Sequence, residues 1–272
     1  MHLFDELHRK TPFLVNTRPV GEFSTEMFWY AGGVPRVMLA VKDLLELDAL
    51  TVTGKTLGEN LAEIEGELVR WEGYLANYGL KREDVIKKLS DTGAIAVLYG
   101  NLAEDGAVLK YTALPKEMQV FCGPARVFDD ELSARNAIIE KRINPGDCIV
   151  IRYAGPKGSG MPEMFYTTEA LCADETLVST TAIITDGRFS GASRGPCIGH
   201  ISPEAAQGGN LALIKDGDMI SIDVPNRRIE AIGVDFESRR KGFSYAPPKE
   251  SGILGIYKKN AVSAMKGGYM DV

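Results

Sequence analysis

Five apolar residues, Leu61, Ile64, Leu68, Trp71 and Leu75, recur at three- and four-residue spacing and lay one stripe along a helix. Glu59, Glu63, Glu65 and Glu67 load its early turns with negative charge, which is favourable near a helix N-terminus. Upstream, A-G-G-V-P-R-V-M-L-A-V-K-D-L-L starts a second helix just after Gly32 and Gly33, with Pro35 suited to a first-turn position. Residues 11 to 89 therefore read as mostly helical.

From about residue 93 the texture changes. Residues 95–98 and 107–110 read as short strands, and M-Q-V-F-C at 118–122 as another, ended by a G-P turn. A helix over residues 129–141 follows, with Asp129 and Asp130 as cap candidates. The turn N-P-G-D leads into C-I-V-I-R-Y (148–153), and a similar K-D-G-D leads into M-I-S-I-D-V (219–224). Short strands bounded by Gly, Pro and Asp, with occasional helices, predict a β-barrel-like unit. The fold class is mixed α+β, with a helical segment (1–92) before a barrel-like domain (93–272), the boundary falling near residues 90–93.

Two of these strands open into glycine-rich loops. The strand at 148–153 runs into A-G-P-K-G-S-G-M-P-E-M-F-Y, and the apolar run at 180–184 runs into T-D-G-R-F-S-G-A-S-R-G-P-C-I-G-H. Glycines let backbone approach a partner that a Cβ would block. Each loop also presents a polar candidate: Glu163 in the first, Ser190 beside Gly191 in the second. Read alone, a glycine-rich loop is more often a plain surface loop than the lining of a site, and a serine in a glycine turn usually satisfies local backbone groups. The first lacks the G-K-[S/T] ending of a phosphate-binding loop, neither reads G-x-G-x-x-G into a long helix, and R-F-S-G-A lacks the first glycine of a hydrolase elbow.

Composition narrows the classes. The 272 residues are 44% hydrophobic and 25% charged, an ordinary globular balance, and a net charge of −6 offers no basic excess for general nucleic-acid binding. The run Arg239–Arg240–Lys241 reads as a solvated surface turn. No stretch approaches the roughly 18 to 20 apolar residues that span a bilayer, and the charged start M-H-L-F-D-E-L-H-R-K lacks a signal-peptide core, so a cytoplasmic location is expected. Cys122, Cys148, Cys172 and Cys197 are far apart and form no C-x-x-C pair, so buried thiols rather than a closed zinc site are expected.

Taken together, G-P-K-G-S-G-M-P-E-M (155–164) and I-T-D-G-R-F-S-G-A-S-R-G-P-C-I-G-H-I-S-P-E-A (184–205) resemble the dihydroxy-acid and sugar-acid dehydratase family. The resemblance extends to A-G-G-V-P (31–35), T-V-T-G-K-T-L-G-E-N-L (51–61), G-P-A-R-V-F (123–128) and P-G-D-C-I-V-I-R-Y (145–153). It implies dehydration of a 2,3-dihydroxy acid to a 2-oxo acid, with an iron–sulfur cluster and magnesium, in a homodimer. It implies a swivelling β/β/α barrel domain after the tail of the family's first domain. By motif, Glu163 matches the magnesium-ligating glutamate and Ser190 the base, while Arg188 and Gly191 flank the substrate. T-D-G-R-F-S-G leans toward branched-chain dihydroxy acids, whereas sugar-acid members often carry T-D-A-R-F-S-G. The family's cluster cysteines, and its aspartate and carbamylated-lysine magnesium ligands, lie in N-terminal motifs unlike anything here. The chain thus resembles the C-terminal portion, and an N-terminal half or subunit would complete it. Cys197 falls outside the cluster motifs, and His200 and Asp186 read as turn-shaping residues.

Two further readings compete. A catalytically silent domain would bind a partner or small acid and gain no dehydratase activity on mixing with an N-terminal partner. A serine hydrolase built on Ser190 would need His200, the only histidine downstream of His8, and would react with a fluorophosphonate probe.

Overall fold

The computed structural model describes residues 1–111, 114–191, 193–246 and 250–271. Contacts divide the chain into two units, one of Glu6–Ala94 and one of Met1–Asp5 with Ile95–Val272. Helix α1 (His2–Lys10) opens the chain.

The smaller unit carries β1 (Phe13–Val15), α2 (Thr25–Tyr30), α3 (Gly33–Ala40), α4 (Leu57–Leu75), α5 (Arg82–Val85) and β2 (Ile86–Ser90). A capping box starts α4: the Thr56 hydroxyl accepts the Glu59 amide at 3.2 Å while the Glu59 carboxylate accepts the Thr56 amide at 2.7 Å. Of the expected stripe, Leu61, Leu68 and Leu75 are buried, each two turns from the next. Leu75 packs in a cluster with Met27, Ala31, Val85 and Ile86. The mostly helical reading of residues 11–89 fails at its ends. Residues 86–90 form a strand antiparallel to β1, with Phe13 opposite Ser90 and Val15 opposite Ile86. The β-branched pair Val85–Ile86 leaves helical geometry at Ile86, whose backbone is already extended.

The larger unit is an eight-stranded closed barrel. Its strands are β3 (Ile95–Gly100), β4 (Ala103–Lys110), β5 (Val120–Phe128), β6 (Cys148–Ile151), β7 (Ala182–Thr185), β8 (Cys197–Ser202), β9 (Met219–Asp223) and β10 (Arg228–Ile232). They close in the order β10-β3-β4-β8-β7-β6-β5-β9. Strands β5, β6, β7 and β8 run parallel, and β4 is antiparallel to both β3 and β8. The helices α6 (Glu131–Ile139), α7 (Pro156–Ser159), α8 (Phe165–Cys172) and α9 (Glu175–Thr180) fill the crossovers between parallel strands. α10 (Phe236–Arg240) and α11 (Gly252–Asn260) come after the barrel.

The apolar strands now make sense. In β6, Cys148 and Val150 join the barrel core, while Ile149 and Ile151 join a second cluster with Ala134, Ala137, Ile138 and Leu171 of the covering helices. In β7, Ala182 and Ile184 point in and Ile183 points out. Both faces are covered, so the strands read as continuous hydrophobic runs instead of alternating ones. The two turn signals close alike: the Asp147 carboxylate accepts the Asn144 amide at 2.8 Å, and that of Asp218 accepts the Lys215 amide at 2.8 Å.

Three expectations need correction. The G-P pair at 123–124 does not end its strand: β5 passes through it, pairing with β9 up to Pro124 and with β6 from Ala125 on. Proline is tolerated there because the strand changes partners at that point. Cys148 and Cys197 are buried, but Cys122 and Cys172 are exposed. Finally, Arg239 is no free surface charge; it makes a forked pair with Asp218. Among the described residues no helix is long and apolar enough to cross a membrane.

Candidate active site

Strands β6 and β7 are parallel neighbours with Ile151 opposite Thr185, so they end side by side at one rim of the barrel. The two glycine-rich loops leave from those ends and are therefore adjacent, although their first residues stand 34 positions apart in sequence, 152 against 186.

Two buried carboxylates bind the loops together. Asp186, fully buried at the end of β7, accepts the amides of Tyr153 at 3.1 Å, Ala154 at 2.8 Å and Ala205 at 2.8 Å. Glu204, just beyond β8, accepts the amides of Lys157 at 3.0 Å and Gly158 at 3.0 Å. Gly155 lies so close to that carboxylate that a side chain there would collide with it. Burial raises both carboxyls, Asp186 to about 7 against the pull of its three amides, with the Glu204 charge adding to the rise. Tyr153 takes a left-handed backbone, and its ring stacks on Tyr245 at 3.9 Å.

Past Gly187 the second loop folds back over the outer face of β8. Ile198 points into the core, so Gly199 points out, and the Gly187 carbonyl and Arg188 Cα lie 3.2 and 3.5 Å from where a Gly199 Cβ would stand. A Cβ there would press on the loop, which glycine lets lie close. His200, also left-handed, donates its amide to the Gly187 carbonyl at 2.8 Å. Its imidazole is pulled below the usual range by burial and then by the Arg188 charge.

The loops meet at a short parallel bridge between Glu163 and Arg188, and the Met164 amide donates to the Arg188 carbonyl at 2.9 Å. Glu163 and Arg188 are exposed, and Met164 is buried beside the bridge. Two residues further on, half-buried Ser190 starts a turn closed by the Ser193 amide on the Ser190 carbonyl at 3.1 Å. Gly191 is exposed, and its carbonyl accepts the ammonium of Lys110 from the end of β4. The structure thus sets the backbone of Glu163 beside that of Arg188, two residues before Ser190 and three before Gly191. Lys110 was not foreseen, and no local pattern marks it. Glu204 lay inside the quoted motif, I-S-P-E-A, without a role.

The donor sets are uneven. Among the described residues no group of three or more His, Cys, Asp or Glu could hold a metal ion. The four cysteines are free. Burial raises the Cys148 thiol and pushes that of Cys197 up to about 12. The cysteines do not fit an iron–sulfur site. Glu163 fits as one oxygen donor for a hard cation, with the other ligands to come from elsewhere.

A family model described as dihydroxy-acid/6-phosphogluconate dehydratase C-terminal matches residues 83–268, and the corresponding N-terminal model matches residues 1–60. Proteins named dihydroxy-acid dehydratase are similar over nearly the whole chain. That of Methanosarcina barkeri is 45% identical over 274 residues, 98% of this chain and 48% of its own length. That of Acetivibrio thermocellus is 46% identical over 277 residues, 100% of this chain and 48% of its own length. The chain spans about half the length of the curated relatives it matches.

Proposed function

Because the chain belongs to the dihydroxy-acid/6-phosphogluconate dehydratase family, we propose that it is the C-terminal portion of a hydro-lyase that converts a 2,3-dihydroxy acid to a 2-oxo acid. A branched-chain dihydroxy acid is the preferred substrate, since the similar relatives are named dihydroxy-acid dehydratase and the loop reads T-D-G-R-F-S-G. The remaining half would come from a separate segment or subunit, and the enzyme would work in the cytoplasm as a homodimer.

The observation that carries the reading is the bridge between Glu163 and Arg188, which sets a carboxylate two residues from Ser190 in chain terms although the loops come from different strands. In the proposed reaction the Ser190 oxygen, as alkoxide, takes the hydrogen from C2. The C2–H electron pair forms the C2–C3 double bond, the C3–O bond breaks and hydroxide leaves. The resulting enol takes a proton at C3 and gives up the proton of its 2-hydroxyl to solvent, leaving the 2-oxo acid. A serine serves as base only where its anion is stabilised by nearby cations or oriented amides, and Lys110 and Arg188 bring positive charge to this loop. Magnesium, when bound, supplies Lewis-acid polarisation of a substrate oxygen, with Glu163 as one of its ligands. The cysteines offer no cluster site, so the departure of the 3-hydroxyl falls to the absent half.

The test is reconstitution with that half, followed by assay of 2-oxo acid formation. Ser190→Ala abolishes turnover while iron content stays at the wild-type level. Turnover by this variant within tenfold of wild type removes Ser190 as the base.

A further inference from the structure

Lys110 is the last residue of β4, where Leu109 and the opposing Ile198 point into the core and turn Lys110 to the outer face. Its ammonium donates to the carbonyl of Gly191, the residue after Ser190. A Cβ placed on Gly191 would stand 3.8 Å from that nitrogen, so the ammonium lies against this turn of the loop. An ammonium has three N–H donors, and a single neutral carbonyl takes one. Among the described residues no ion pair with a carboxylate offsets its charge, and burial alone pulls it below the ordinary lysine range. A partly desolvated cation met only by a neutral oxygen is unfavourable, and an anion at its open donors relieves that cost.

We propose that Lys110 binds the carboxylate of the acid substrate beside Ser190. The inference rests on the reading of Ser190 as the base. The hydrogen Ser190 removes is on the carbon bonded to the carboxyl group, so the carboxylate must lie next to Ser190 when that hydrogen does. Lys110 is the cation at that place, one residue away. Arg188 is the competitor, but it is exposed. A water-facing guanidinium gains less from a carboxylate than a partly desolvated ammonium does.

The experiment uses the reconstituted enzyme with two measurements. In steady-state assays Lys110→Met raises KM for the dihydroxy acid about 10- to 100-fold, the size of a lost charge-assisted hydrogen bond, with a smaller change in kcat, and Lys110→Arg recovers most of the loss. In equilibrium titrations, wild-type protein binds 2-oxobutanoate more tightly than 2-oxobutanamide. Lys110→Met erases that preference, and Arg188→Met keeps it. Lys110→Gln retains a neutral donor for the Gly191 carbonyl and serves if the Met variant melts early by circular dichroism. Equal binding of acid and amide by wild type, a preference surviving in the Lys110 variants, or a preference lost in Arg188→Met alone overturns the proposal. Inactive Ser190→Ala with indifferent Lys110→Met sinks Lys110 and spares the base; active Ser190→Ala sinks the base itself.

Discussion

Asp186 and Ala154 stand on different loops and are joined by a 2.8 Å hydrogen bond from the Ala154 amide to the Asp186 carboxylate. With the Tyr153 and Ala205 amides on the same carboxyl, this side chain fixes where three segments of backbone lie. Ser190 follows four residues later, so its position is inherited from a buried group that touches no solvent.

That burial predicts an unusual pH response. The Asp186 pKa rises from 3.8 to about 7 on folding. A carboxyl with a higher pKa in the folded state binds its proton more tightly there, so between about pH 4 and pH 7 the native state holds more protons than the unfolded chain and stability falls as pH rises. At roughly 1.4 kcal/mol per pH unit the whole effect is about 4 kcal/mol. Asp186→Asn lacks this slope. Urea melts at several pH values therefore show wild type losing stability relative to the variant as pH climbs through the window. A relative gain would mean that the three amides outweigh burial and keep the carboxylate ionised.

Gly155 gives a second test of the same framework. A side chain there collides with the Glu204 carboxylate, which is buried and held by two amides of α7 and so has nowhere to move. Gly155→Ala is expected to cost about 1 to 3 kcal/mol, as overpacking does, read as a shift in urea midpoint at constant slope. The comparison variant is Gly66→Ala on α4, where nothing lies within 4 Å of the new methyl and no such loss occurs.

How legible all this was depended on sequence distance. Residues 148–151 and 182–185 announced themselves because strands buried on both faces are apolar at every position, and the loops followed from their glycines. Strand β2, I-K-K-L-S, escaped notice because its central residues are exposed and its partner, β1, is some seventy positions away. The same limit hid Lys110: it meets Gly191 across 81 residues, and a lone lysine closing an apolar strand reads as a solvated end. Glu204 was hidden differently. Its part is to accept backbone amides, and those donors leave no trace in residue type.

Glu163 can be tested with little risk to the fold, because its place is held by backbone pairing with Arg188 and its side chain is exposed. Glu163→Gln keeps the shape and removes the charge. A hard divalent ion binds a neutral amide oxygen far less well than a carboxylate, so the magnesium concentration for half-maximal activity of the reconstituted enzyme is expected to rise roughly 10- to 100-fold. Saturating magnesium should recover much of kcat, because the base on the neighbouring loop is untouched. Glu163→Asp, with the charge retained on a shorter arm, should fall between the two. A magnesium titration identical to wild type would take Glu163 out of the ligand set.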